Sequence, residues 1–168
     1  LTRYLMLWGV AEDHDSNPIK LGLGKMKSRG ANVIAIIPVR TGYGAIADEW
    51  IGIRPGTDGL LAMALIHELL RTDRVDLDYL VRFTNAHHLV IDAPGTAEHG
   101  LFARDAEGNA LCWDRNFQTV MPANGTGLSP MIAGEYALAD FRTVKPVFHH
   151  VLQRYLCEDY SPEMVSET

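Results

Sequence analysis

The residues best suited by type and spacing to chemistry are Arg54, Gly56, Thr57 and Asp58, in the run Ile53-Arg54-Pro55-Gly56-Thr57-Asp58-Gly59. The run stops an extended segment and opens the most apolar helix of the chain. A helix start presents unpaired backbone N–H groups and partial positive charge, which suits phosphate, and here an arginine and a carboxylate flank it. Thr57 or Asp58 also serves as an ordinary N-cap. Asp58 has a sharper use. The two in-plane acceptors of a carboxylate match the paired N1–H and N2–H donors of guanine, a pair that adenine lacks.

Two other loops carry candidate ligand groups. Arg40 and Thr41 could contact a ribose or phosphate, with Gly42 and Gly44 permitting close backbone approach, although each is also an ordinary turn residue. Gly9 allows a tight turn, and the acidic cluster Glu12, Asp13 and Asp15, with His14 among them, could hold a divalent cation or bond sugar hydroxyls. A solvated loop is the simpler reading of that cluster. The pairs His87-His88 and His149-His150 argue against a metal, because adjacent side chains diverge on a strand or a helix. Cys112 and Cys157 form no Cys-x-x-Cys pair, so they read as two reduced thiols rather than as zinc or iron–sulfur ligands. Gly-x-Ser-x-Gly, the Gly-Lys-Ser/Thr phosphate loop and His-Glu-x-x-His are all absent. Gly9 leads into Val-Ala-Glu-Asp-His rather than Gly-x-Gly-x-x-Gly, which disfavours a nicotinamide or flavin fold.

These loops need a scaffold that brings them together. Tyr4 to Trp8 is a continuous apolar run that predicts a strand buried on both faces. Asn17-Pro18 starts a helix with Ile19, Leu23 and Met26 on one face, closed by Gly30, and Asn32 to Ile37 is a second strand. A strand, helix and strand of this length usually form a right-handed crossover with parallel strands. Trp50 to Ile53 supplies a third strand, and Leu60 to Leu70 a helix apolar nearly all round, expected to be deeply packed. Asp76 caps a further helix with Leu77, Leu80 and Val81 inward, ending near Asn85. The expected fold is α/β: an open, mainly parallel Rossmann-like sheet with flanking helices and a small β-rich insertion. In such sheets ligands sit beyond the carboxyl ends of the strands, which is where Gly9 to Asn17, Pro38 to Gly44 and Arg54 to Gly59 fall.

The pattern changes near residue 86. His88 to Ile91, Leu101 to Arg104 and Ala110 to Trp113 read as short strands, with Asp105 to Asn109 as a turn, and residues 122 to 134 as loop. Helical spacing returns at Val147, Phe148, Val151, Leu152 and Tyr155, and Ser161-Pro162-Glu163 begins a last helix. The expected organisation is an α/β dinucleotide-binding core over 1–85, a β-hairpin and loop insertion over 86–143, and C-terminal helices of the same domain over 144–168.

The 168 residues, 47% hydrophobic and 21% charged, suit a globular domain with a substantial core. A net charge of −6 argues against a non-specific nucleic-acid or anionic-membrane surface and favours a small ligand. No apolar run reaches the ~18 residues of a membrane span, and Leu1-Thr2-Arg3-Tyr4 has no signal-peptide layout, so a cytoplasmic location is the expectation. The chain begins without methionine and reads as a piece of a longer protein.

Three stretches resemble the molybdopterin oxidoreductases of the dimethyl sulfoxide reductase superfamily, which includes formate dehydrogenases and nitrate reductases. They are Gly30-Ala31-Asn32-Val33-Ile34-Ala35-Ile36-Ile37-Pro38-Val39-Arg40-Thr41, Ala45-Ile46-Ala47-Asp48-Glu49-Trp50, and Ile53 to Gly59 with its apolar helix. Looser likeness lies in Trp8-Gly9, in Tyr79 to Asn85 and in Tyr160-Ser161-Pro162-Glu163, and little in residues 86 to about 143. The resemblance implies the α/β domain that holds the guanosine end of a molybdopterin guanine dinucleotide carrying molybdenum or tungsten. By resemblance, Gly9 and the loop after it, Val10 and Glu12 included, would face the cofactor. Arg40 and Thr41 would lie near its ribose or phosphates, and Arg54, Gly56, Thr57 and Asp58 near the guanine nucleotide. Ile37 and Ala11 stand where many members have an acidic or amide residue and an asparagine, respectively. The family's molybdenum ligand and 4Fe-4S cysteines normally precede this region, and its second pterin-binding domain follows. The implied partners are the cofactor and the parent's small-molecule substrate, the remaining domains of the parent and an electron-transfer subunit. The piece alone is expected to be inactive. The competing reading is a non-catalytic α/β interaction or regulatory domain that binds no dinucleotide.

Overall fold

A computed structural model describes residues 2–10 and 19–167. The chain divides into two compact units, Leu1–Leu61 and Ala62–Thr168.

In the first unit, strands β1 (Tyr4–Trp8), β2 (Asn32–Ile36) and β3 (Glu49–Ile51) form a parallel sheet in the order β1-β2-β3. Helix α1 (Ile19–Lys27) connects the first pair, and the short helix α2 (Tyr43–Ile46) lies between the second pair. The expected α/β class with a parallel sheet is therefore present; the Asn17-Pro18 helix start lies outside the described residues. β2 is the central strand, and Val33, Ile34, Ala35 and Ile36 are all buried. Leu7, Leu23, Val33 and Tyr43 form the core, with Leu5, Val10 and Ala47 packed against it. Asp48 holds the sheet at its other end, accepting from the Val33 amide at 2.8 Å and from Lys27 Nζ at 2.9 Å.

β1 departs from the expectation of burial on both faces. It is an edge strand, and it packs Leu5 and Leu7 into the core while Tyr4 and Met6 stay exposed. Continuous hydrophobicity fits a strand covered on both sides, but only neighbours supply the cover. The third strand is shorter and more exposed than the sequence suggests, and Tyr43–Ile46 replaces part of the expected Pro38 to Gly44 loop with a helical turn. Gly44 is closely packed there: a Cβ would lie 2.8 Å from Ile37 Cδ1, so the end of that side chain would have to shift.

Helix α3 (Asp58–Arg71) contains the division between the units. Of its residues only Ala64 and His67 are buried, while Leu65, Ile66 and Leu69 are exposed, so the expected deep packing is not observed. An all-round apolar helix has the capacity to be buried, but periodicity does not specify which faces find partners.

In the second unit, α4 (Leu77–Phe83) starts as the sequence indicates, with Asp76 accepting from the Tyr79 amide at 2.8 Å, although Leu77 is exposed rather than inward. Strands β4 (Leu89–Ile91), β7 (Tyr136–Ala137) and β8 (Thr143–Pro146) form an antiparallel sheet in the order β4-β8-β7. β5 (Leu111–Asp114) and β6 (Thr119–Pro122) form a hairpin. Leu101 to Arg104 contributes only isolated bridges, Phe102 with Val90 and Arg104 with Ala110, rather than a strand. The turn at Asp105 to Asn109 closes as its composition indicates, with the Asp105 carboxylate accepting from the Asn109 amide at 2.7 Å. Leu89, Ile91, Ala103 and Val144 form the core, and Trp113 stacks on Tyr136 at 4.5 Å between ring centres. Helix α5 (Val147–Tyr155) follows β8, and α6 (Pro162–Ser166) is capped by Ser161, whose hydroxyl accepts from the Met164 amide.

Candidate functional site

Parallel pairing puts the carboxyl ends of the three strands of the first unit in line. Trp8, Ile36 and Ile51 are register partners, and the ladder runs one residue further, with the Gly9 amide donating to Ile36 O at 3.0 Å and the Ile37 amide to Ile51 O at 3.2 Å. The loops after β1, β2 and β3 therefore leave the same sheet edge, where an open parallel sheet binds its ligands.

The third loop reaches α3 through a tight turn. The Thr57 amide donates to Arg54 O at 3.1 Å and its hydroxyl donates to the same oxygen at 2.8 Å. Pro55 and Gly56 occupy the central positions, and Gly56 has φ +87°, the left-handed conformation that a type II turn requires there. Because the Thr57 hydroxyl turns back to Arg54, the side chain at the helix start is Asp58. Its Oδ1 accepts from Trp8 Nε1 at 2.7 Å, which joins the end of β1 to the start of α3 across fifty sequence positions. A carboxylate offers about four lone-pair sites, so the indole tethers one oxygen and leaves most of the acceptor capacity open.

The other sequence candidates differ in setting. Gly9 has φ +61°, and among the described residues nothing lies within 4 Å of where a Cβ would be at either Gly9 or Gly56, so both leave room for close backbone approach. The Val10 side chain is half-buried against the core. Arg40 and Thr41 are exposed in the turn before α2, where the Thr41 amide donates to Val39 O and its carbonyl accepts from the Gly44 amide, each at 2.8 Å. Glu12 lies outside the described residues. Arg54 is exposed and contributes its carbonyl to the turn. The positioning role of Trp8 has no sequence signal, because nothing local to Trp8 or Asp58 indicates their pairing.

No family model matches the chain. Over 171 aligned residues it is 43% identical to a sulfite dehydrogenase subunit of Allochromatium vinosum, an alignment covering 96% of this chain and 17% of that protein. It is 26% identical over 139 residues to the perchlorate reductase alpha subunit of Dechloromonas aromatica, covering 77% of this chain and 14% of the relative. With the nitrate reductase alpha chain of Bacillus subtilis it shares 33% identity over 93 residues, 52% of this chain and 8% of the relative. This chain belongs to the molybdopterin oxidoreductases of the dimethyl sulfoxide reductase superfamily. It spans 17% or less of the length of these three molybdopterin oxidoreductase relatives.

His87, His88, His149, His150 and both cysteines of this molybdopterin oxidoreductase chain stand apart from the sheet-edge loops in sequence. The His87 and His88 rings meet edge to face at 4.8 Å, and among the described residues no group of three or more His, Cys, Asp or Glu is arranged to hold a metal ion. Cys112 and Cys157 are both free, and burial, followed by the Asp114 carboxylate, pushes the Cys112 thiol up to about 11, which keeps it protonated and unreactive.

Proposed function

We propose that this chain binds and positions the guanosine end of a molybdopterin guanine dinucleotide within a molybdenum or tungsten oxidoreductase. The observation that carries the reading is the Trp8–Asp58 hydrogen bond, which holds a carboxylate at a helix start beside the sheet edge that the three strand ends share. Asp58 accepts the N1–H and N2–H pair of guanine. Gly9 and Gly56 allow their backbones to approach the nucleotide, and Arg40, Thr41 and Arg54 serve its ribose and phosphates. The open space at both glycines and the exposure of both arginines fit such a ligand.

When bound, the cofactor supplies a redox-active metal for oxygen-atom transfer or coupled proton and electron transfer. The contribution of this chain is to hold and orient the nucleotide end. The metal's protein ligand, a 4Fe-4S cluster and the second half of the dinucleotide surface are assigned to other parts of the parent enzyme, and electrons pass to or from a partner subunit. The names of the three relatives specify sulfite, perchlorate and nitrate, which supports a small inorganic oxyanion as the parent's substrate.

Calorimetric titration of the protein with GDP and ADP, repeated with Asp58→Asn, tests the reading. The asparagine keeps the carbonyl that accepts from Trp8 but replaces one acceptor with a donor. We expect GDP to bind more tightly than ADP, and this preference to fall about 10- to 100-fold in the variant. Equal binding of the two nucleotides, or a preference that survives the substitution, would sink it.

A further inference from the structure

The second unit contains a cavity of about 600 Å³ whose polar wall is made by Arg82, His87, His88, Arg104, Asn109 and Asn124. Among the described residues no aspartate or glutamate lines it, although the chain as a whole carries a net charge of −6. Arg82 comes from α4, the two histidines from the segment leading into β4, Arg104 and Asn109 from either side of the 105–109 turn, and Asn124 from the segment after β6. Arg104 is propped by donating to Gly108 O at 2.7 Å, and Asn124 donates to Asn109 Oδ1 at 3.2 Å. Among the described residues neither Arg82 nor Arg104 has an ion-pair partner; the guanidinium of Arg82 lies only over the ring of Phe83, at 5.2 Å. His87 is 7% exposed; its ring hydrogen-bonds the Ala123 backbone, while its Nδ1 is buried with no partner among the described residues. A buried imidazole nitrogen left without a partner is costly, and here it lies on a residue of the cavity wall.

We propose that this cavity binds a phosphoryl group, with the Arg82 and Arg104 guanidiniums balancing its charge and His87 and His88 donating to its oxygens. A single carboxylate would balance the charge of only one guanidinium. A phosphoryl group carries about two negative charges and three acceptor oxygens, which match two arginines and two imidazoles. A cavity of this volume also has room for an organic body, with Val81, Leu128 and Pro130 forming its apolar wall.

The protonation of the histidines supplies a signature. Burial, followed by His88, holds the His87 pKa below its ordinary value, and burial, followed by Arg104, does the same for His88. Among the described residues the ionisable groups of the cavity wall are these two histidines and the two arginines, so a bound dianion reverses the local field. Both imidazoles then gain affinity for protons, and binding of a phosphate monoester tightens as pH falls from 8 towards its second pKa, about 6.

The test is an NMR titration of the full chain with inorganic phosphate and with glycerol 3-phosphate at constant ionic strength, reading the His87 and His88 imidazole signals and their pKa values. Saturable shifts with raised imidazole pKa values are expected. Arg82→Gln and Arg104→Gln should each weaken binding about 10- to 100-fold. Arg82→Gln guards against misfolding, since its guanidinium makes no hydrogen bond to another residue in the described structure. Tighter binding of the monoester assigns an organic phosphate to the cavity, and equal binding assigns free phosphate. The proposal falls if the folded protein shows no saturable response, or if both variants bind as the parent sequence does. Phosphoryl binding here is indifferent to the base and to Asp58→Asn and is read at the His87 and His88 signals, so its failure and the failure of the guanine reading are distinguishable.

Discussion

In residues 2–61 a parallel ladder carries Trp8, Ile36 and Ile51 to a common edge, so the loops that follow them emerge together without help from their own side chains. In residues 62–167 the described antiparallel strands are two to four residues long, and much of the loop placement falls to carboxylates. Asp114 is fully buried and accepts from the amides of Asn116, Phe117 and Ser129. Asp92 pairs with Lys145 at 2.6 Å, and Asp105 closes the turn beside Arg104. A ladder places loops by backbone periodicity, which tolerates variation in the loops themselves. Carboxylate anchoring places them by a few particular atoms, each of which leaves several backbone donors unpaired when it is lost.

The largest test of this contrast sets the central strand of the parallel sheet against its edge strand β1. Ile36→Ala, in the fully buried central strand, is expected to cost about 3 kcal/mol in urea unfolding, whereas Met6→Ala on exposed β1 should cost less than about 1 kcal/mol. Similar costs at both positions would mean that β1 is not an exposed edge.

Asp114→Ala should lower the melting temperature by about 5–10 °C while disturbing the β5–β6 hairpin rather than the parallel sheet. The amide of Phe117, followed by those of Ser129 and Asn116, holds the Asp114 carboxyl below its ordinary pKa. Since the folded pKa is the lower one, the stabilisation is present above the unfolded value of about 3.9 and is lost as pH falls through the folded value. The amide shifts of Phe117 and Ser129 should therefore titrate below that value, and an inflection at or above it would contradict the anchoring role.

The smallest expected effect lies at the sheet edge. Trp8→Phe removes the indole donor but keeps an aromatic ring, so GDP affinity should fall about three- to tenfold through a less ordered Asp58, with little change in melting temperature. An unchanged affinity would show that the carboxylate needs no positioning by Trp8.

Signals carried within a few residues were readable. The Asp76 cap, the Asp105 to Asn109 turn and the Ser161-Pro162 helix start all appear as their compositions indicate. β1, α1 and β2 likewise follow from apolar runs and spacing. Failures came where a partner decided the outcome. Leu101 to Arg104 has strand composition but finds only isolated bridging partners, and β7 and β8 are too short to display a period. The apolar residues of α3 could not reveal which of them would be covered.

Taken alone, the sequence determined the α/β class, the parallel strand–helix–strand core and the positions of Arg40, Gly56 and Asp58 after their strands, because periodicity, capping and turn chemistry act within one segment. Tertiary structure alone decided that Trp8 would hold Asp58, and that Arg82, His87, His88 and Arg104 would share one acid-free cavity. Those pairings join residues distant along the chain or on separate loops, so their geometry arises only when sheet register and loop anchors bring the segments together.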